Sequence, residues 1–237
     1  MDRVFKVVMV GAPGSGKTSL RSCALHGARA WQHAATATPD FVSTHIEVAG
    51  GALAAVQIWD TSGEAGGLVA THSLAEDADA VVLVYAGTSA ASLHALARLL
   101  PASAAVTGRL RGGGVPVAMV QTMADQPHQA VGRDQALALC RSLLGPRPAV
   151  AWMQASARTG AGAADVFRAV AEACIRRYAG ASADPPLPAP RPSRHGDPIP
   201  YHRLEIEPHS SPAKARLRLR SPQTRIRRGL RRLLCFG

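Results

Sequence analysis

At 237 residues, 47% hydrophobic but only 4% aromatic, the chain has room for one domain plus a tail, and its 45 alanines imply a core of small and branched aliphatics. The net charge of +11 is uneven: residues 1–180 carry 15 basic and 12 acidic side chains and residues 181–237 carry 12 and 4, so the basic character belongs to the tail. The four cysteines (Cys23, Cys140, Cys174, Cys235) form no CxxC pair, no apolar run approaches the ~20 residues of a membrane span, and the charged start leads straight into a strand pattern, which excludes secreted, disulfide-rich, collagenous and transmembrane classes and leads us to expect a cytoplasmic protein.

In chain order, residues 4–10 read as a buried strand that ends in a glycine-rich loop, and residues 18–30 as a helix. Residues 41–48 and 52–60 read as two strands turning at Gly50-Gly51. The continuous apolar run 80–86 is a further strand, followed by helical spacing through Leu93, Leu96, Leu99 and Leu100. Residues 115–120 and 150–154 are strand candidates, and residues 135–144 and 166–178 helix candidates. This alternation predicts an α/β fold with a mostly parallel six-stranded sheet, helices on both faces and one antiparallel edge strand. Residues 1–180 are expected to form the folded domain. Residues 181–237 hold 10 of the 17 prolines; we read 181–209 as a disordered proline-rich linker and 210–237 as a basic amphipathic tail.

Gly11-Ala12-Pro13-Gly14-Ser15-Gly16-Lys17-Thr18 fits GxxxxGK[ST] between a predicted strand and a predicted helix, the pattern of a P-loop nucleotide-binding fold. Glycines let backbone N–H groups turn inward around a phosphate, and the following helix N-terminus adds a favourable dipole. Lys17 would reach the β- and γ-phosphates, and the Thr18 hydroxyl would ligate Mg²⁺. The loop alone is shared by GTPases, ATPases and small-molecule kinases. Asp60-Thr61-Ser62-Gly63 narrows the choice. A carboxylate at a strand end, 42 residues beyond Thr18, can hold Mg²⁺, and the glycine three residues on lets its N–H approach the γ-phosphate.

With these motifs in place, the sequence resembles the Ras superfamily of small GTPases, and Rab proteins most of all. Gln57-Ile58-Trp59-Asp60-Thr61-Ser62-Gly63-Glu64 is similar to the Rab pattern QIWDTAGQ, and residues 36–41 are similar to the first-switch pattern TIGVDF. The resemblance covers about residues 4–178 and implies a GTP/GDP-binding switch that uses Mg²⁺. It implies Thr36, 18 residues after Thr18, as the switch threonine on Mg²⁺ and γ-phosphate, with Thr38 as the alternative. It places Thr122-Met123-Ala124-Asp125 over the family's NKxD, so Asp125 would accept the N1 and N2 protons of guanine while Thr122 replaces the asparagine and Met123 the lysine. An unbranched thioether can still cover a purine face. Residues 154–160 are similar to ETSAKTG, which brings Ser156, Ala157 and Arg158 to the base, the Ala157 N–H reading guanine O6.

Two departures bear on turnover and partners. Lys17, Gly63 and Glu64 are the catalytic candidates, but Glu64 stands where most of the family has the glutamine that orients the attacking water. A carboxylate a few ångströms from the γ-phosphate costs about 1–4 kcal/mol, each 1.4 kcal/mol being about tenfold in rate. Hydrolysis is therefore expected to be slow. Gly66-Gly67 removes apolar surface usually offered to effectors, so effector, exchange-factor and activating proteins are expected to differ from those of Rab proteins.

In the tail, Ile226, Leu230, Leu233 and Leu234 form one helical stripe with Arg227, Arg228, Arg231 and Arg232 beside it, a pattern suited to an anionic membrane surface. Cys235 is third from the end, so the CaaX prenylation motif is absent. A solvated basic tail or a nuclear address is the competing reading; the lack of interleaved aromatics argues against nucleic acid. Besides the switch, two classes stay open: a binding-only pseudo-GTPase acting as a scaffold, and a P-loop kinase, against which the absence of an arginine-rich lid speaks.

Overall fold

The computed structural model describes residues 3–28, 40–61, 75, 77–100, 104–111, 114–145 and 150–180. Residues 29–39 and 62–74, which hold Thr36, Thr38, Gly63, Glu64 and most of both expected switch segments, lie outside the described residues, as do the whole linker and tail.

The elements run β1 (Val4–Val10), α1 (Lys17–His26), β2 (Asp40–Glu47), β3 (Leu53–Asp60), β4 (Ala80–Ala86), α2 (Ala90–Leu99), α3 (Ala104–Arg111), β5 (Val117–Thr122), α4 (Arg133–Leu144), β6 (Val150–Gln154) and α5 (Ala163–Tyr178). The six strands form one sheet in the order β2-β3-β1-β4-β5-β6. Only β2 pairs antiparallel, Asp40 facing Asp60 and Glu47 facing Leu53. The others are parallel, so all five carry their carboxyl ends to one edge. Open sheets of this kind hold ligands in the crevice outside that edge.

Two apolar layers hold the sheet. Val7 and Met9 of β1 face a cluster with Leu20 and Ala24 of α1 and Phe167 and Val170 of α5. Val8 and Val10 face Leu93 and Leu96 of α2 and Ala136, Cys140 and Leu144 of α4. Every residue of β4 is buried, as expected for a parallel strand covered on both faces. Cys23, Cys140 and Cys174 are buried and unpaired, and burial pushes the thiols of Cys140 and Cys174 up to about 12.

The expected element boundaries shift for local reasons. Helix α1 stops at His26 because Gly27, at φ +84°, turns the chain and donates its N–H to Cys23. Strand β5 starts only after Pro116, which has no N–H to give a ladder, and runs on to Thr122. Helix α3 has no counterpart among the expected elements; its sequence AAVTGRLR carries a glycine and a β-branched pair that weaken the helical pattern.

Candidate functional site

The phosphate loop leaves β1 at Gly11 and enters α1 at Lys17. Gly16 precedes the helix at φ +89° and no side chain caps it, and a helix start of this kind turns its N–H dipoles toward an anion. Gly11 is required for a different reason: a Cβ there would lie 2.3 Å from the carbonyl oxygen of Val84. Lys17 is buried, and its Nζ donates to the carbonyls of Gly11 (2.8 Å) and Ala12 (3.0 Å). An ammonium has three protons, so one remains for a phosphate oxygen. Burial lowers the Lys17 pKa, and the Asp60 charge opposes that shift.

Asp60 ends β3 beside Met9 of β1 and is fully buried. Neither carboxylate oxygen receives a well-formed hydrogen bond. Burial pushes the carboxyl above its ordinary range, against the pull of the Thr18 hydroxyl, Arg21 and Lys17. A buried carboxylate with unused lone pairs, next to a hydroxyl at the mouth of a phosphate loop, is a donor set that suits Mg²⁺. Its neighbour Thr61 donates its hydroxyl to the Met9 carbonyl at 2.7 Å, tying the end of β3 to β1.

The base-side residues follow β5 and β6. Asp125 accepts from the Ser156 hydroxyl at 2.5 Å on Oδ1 and from Arg158 Nε at 2.6 Å on Oδ2. Burial raises its pKa, but the bonds from Ser156 and Arg158 outweigh burial and hold the carboxyl below its ordinary value. Oδ2 also accepts from the exposed Gln126 Nε2 at 3.2 Å. Oδ1 therefore keeps an acceptor position for a base donor, and a second base donor would take the place of the Gln126 amide on Oδ2. The Ala157 N–H donates to no described residue.

Thr122 does more than the sequence pattern implies. Its Oγ1 lies 2.6 Å from the Ser15 carbonyl and 3.1 Å from the Tyr85 carbonyl, so one hydroxyl links β5 to the phosphate loop and to β4. Met123, at φ +57°, is the one non-glycine residue with positive φ among the described residues, a conformation costing about 1–2 kcal/mol. A network holds it there: Trp152 Nε1 donates to the Tyr85 hydroxyl (3.0 Å), which donates to Gln121 (3.2 Å). Gln121 Nε2 donates to Gln129 (2.6 Å), and Gln129 Nε2 donates to the Met123 carbonyl (3.0 Å). None of these four side chains was a sequence candidate, because only strand register and the return of the loop after β5 bring them together.

The structure thus gathers Gly11, Ala12, Pro13, Gly14, Ser15, Gly16, Lys17, Thr18, Asp60, Thr122, Met123, Asp125, Ser156, Ala157 and Arg158 along the carboxyl edge of the sheet. Arg21 joins them as a residue the motif reading missed. The one signal for it was a cation one turn beyond Lys17 on the otherwise apolar stripe of α1.

A sequence model of the Ras family matches residues 6–176. Ras-related protein Rab-26 of Bos taurus is 29% identical over 185 residues, covering 78% of this chain and 69% of the relative. Ras-related protein Rab-18 of Caenorhabditis briggsae is 28% identical over 172 residues, 73% of this chain and 81% of the relative. The Ypt/Rab-type GTPase YPT7 of Saccharomyces cerevisiae is 35% identical over 91 residues, 38% of this chain and less than half (44%) of the yeast protein. The family match runs from within β1 into the last turn of α5, over the same sheet and loop described above, and this chain belongs to the Ras family, resembling its Rab-type members.

Proposed function

We propose that this chain is a guanine-nucleotide switch that binds GTP and GDP with Mg²⁺ and hydrolyses GTP slowly, in membrane traffic or signalling. The supporting observation is the convergence of Lys17, Asp60 and an ionised, hydrogen-bonded Asp125 on one edge of one sheet. Thr18, Asp60 and Thr36 would hold Mg²⁺, which when bound neutralises charge on the β- and γ-phosphate oxygens. The loop N–H groups and Lys17 bind and orient the phosphates. Asp125 and the Ala157 N–H select guanine, and Met123 and Arg158 flank the base. The Gly63 N–H would touch the γ-phosphate. Effectors and regulators are proposed to dock near the stacked pair Phe41–Trp59 (ring centroids 4.5 Å apart) on β2–β3, of which Phe41 is exposed and Trp59 half-buried. The test is displacement of a labelled GTP analogue from the protein in Mg²⁺. GTP is expected to compete at least about tenfold better than ATP, one lost guanine contact being worth about that much; equal competition removes the guanine reading.

Turnover is expected to rise on Glu64→Gln, because the neutral amide orients water without repelling the γ-phosphate. Single-turnover hydrolysis should increase by about tenfold or more. A fall would make Glu64 the water-positioning group. No hydrolysis by either form would favour the binding-only scaffold.

Residues 210–237 are proposed to hold the protein reversibly on an anionic membrane surface while the domain of residues 1–180 binds nucleotide. No helix among the described residues is long and apolar enough to cross a membrane. Truncation after Tyr178 should leave GTP affinity unchanged and abolish co-sedimentation with phosphatidylserine vesicles, which in the intact protein weakens as salt rises. Binding of the intact protein to RNA with no binding to vesicles would replace the membrane reading with a nucleic-acid one.

A further inference from the structure

We propose that Arg21 is a resident counter-charge of the metal site, a cation of the protein's own that holds Asp60 and makes nucleotide retention less dependent on Mg²⁺; the nucleotide half of this rests on the switch reading above. Asp40 and Asp60 are partners across the β2–β3 ladder. Two carboxylates directly opposite each other on an antiparallel pair repel. Asp60 is also fully buried and lacks a well-formed hydrogen bond. Arg21 reaches both carboxylates from α1, one turn beyond Lys17, hydrogen-bonding Asp40 and offsetting the charge of Asp60. Its Nη2 lies 3.0 Å from Asp40 Oδ2 and 3.9 Å from Asp60 Oδ2, and its Nη1 donates to the Asp40 carbonyl at 3.4 Å. The Arg21 side chain is only 10% exposed, so water screens these charges little.

A guanidinium does not deprotonate in a protein, so the charge is permanent. The phosphate-loop pattern itself asks for no cation at this position. Two consequences follow from the geometry. A cation lies 3.9 Å from the Asp60 carboxyl before any dication arrives. The same positive charge, about 4 Å from the carboxylate, repels a dication that shares it. Both effects shrink the contribution of Mg²⁺ to holding a nucleotide. Because Asp40 is the first residue of β2, Arg21 also anchors the start of that strand to α1.

The test measures release of fluorescent N-methylanthraniloyl-GDP from the full-length protein in Mg²⁺ and in excess EDTA, together with melting of the nucleotide-free protein. In the unaltered protein, EDTA should speed release by less than about tenfold. Arg21→Met, which keeps the volume and loses the charge, should raise that ratio by about tenfold to a hundredfold. Arg21→Lys should keep most of the unaltered behaviour. Asp40→Asn should lower the ratio, since it leaves the guanidinium to Asp60 alone. An unchanged ratio in Arg21→Met overturns the proposal; if that variant does not fold, an unchanged or higher ratio in Asp40→Asn overturns it. The melting arm needs no nucleotide. Arg21→Met should melt lower than the unaltered protein, and most of that loss should vanish on an Asp60→Asn background. Additive losses would show that the two residues do not act together. Failure of the unaltered protein to hold the labelled GDP even in Mg²⁺ would sink the switch reading instead, with the melting arm still deciding Arg21.

Discussion

Lys17→Ala is expected to weaken GTP binding by about a hundredfold or more, and by the same factor for any purine triphosphate. The Lys17 ammonium is buried at the centre of the loop, 2.8 and 3.0 Å from two loop carbonyls, with one donor left over. A charge-assisted hydrogen bond contributes about 1.5–3 kcal/mol, so the one free donor on a phosphate oxygen is worth about tenfold to a hundredfold and the loss of the buried positive charge adds to it. Thr18→Asn should act differently. Its loss should fall mainly on Mg²⁺-dependent binding, because the hydroxyl lies beside the buried Asp60 carboxylate. Titration of labelled GTP and ATP analogues with and without Mg²⁺ separates the two effects. Retention of Mg²⁺-dependent GTP binding by both variants would mean that this loop is not the phosphate site.

Asp125→Asn is expected to cost about a hundredfold in GTP affinity and to leave ATP nearly unchanged. An amide has one acceptor oxygen where the carboxylate has two, so it cannot take both guanine donors while keeping its bonds from Ser156 and Arg158. Competition assays with GTP and ATP read the difference directly; an equal fall for both would show that Asp125 acts only by holding its loop. The pH dependence follows from the same contacts. Burial raises the Asp125 pKa, the bonds from Ser156 and Arg158 lower it, and the balance leaves it below the ordinary value. A depressed pKa means that the stabilisation is in place above the unfolded value of about 3.9 and is lost as the pH falls through the lowered folded value. Guanine selectivity should accordingly hold across neutral and mildly acidic pH, as measured by the same competition at stepped pH.

Much of the fold was legible in the sequence because its signals are local. Short apolar runs alternating with helical spacing specify a parallel sheet, and Gly50-Gly51 specifies the one hairpin. The phosphate loop is legible for the same reason: its strand, glycines, lysine and helix are contiguous from Val4 to His26. Asp60, Asp125 and Ser156 could be named because each follows a strand at a familiar spacing. The termini of elements were less legible, since Gly27 and Pro116 act through single backbone groups.

What the sequence could not decide are the contacts made across strands and between layers. From the chain alone, Thr122 is a lost amide; the close approach of β5 to the phosphate loop makes it a bridge, 2.6 Å from the Ser15 carbonyl. Gln121 reads as one more residue at the end of a strand until the register of β4, β5 and β6 sets it between Tyr85 and Gln129. Arg21 reads as a stray charge in a helix. Only the antiparallel pairing that sets Asp40 opposite Asp60, with α1 packed over them, makes it the counter-charge of a buried carboxylate. The sequence by itself determined the motifs whose parts are neighbours in the chain. The tertiary structure alone decided which distant polar groups meet, because hydrogen bonds and ion pairs depend on distances of about 3 Å that strand register and helix packing set.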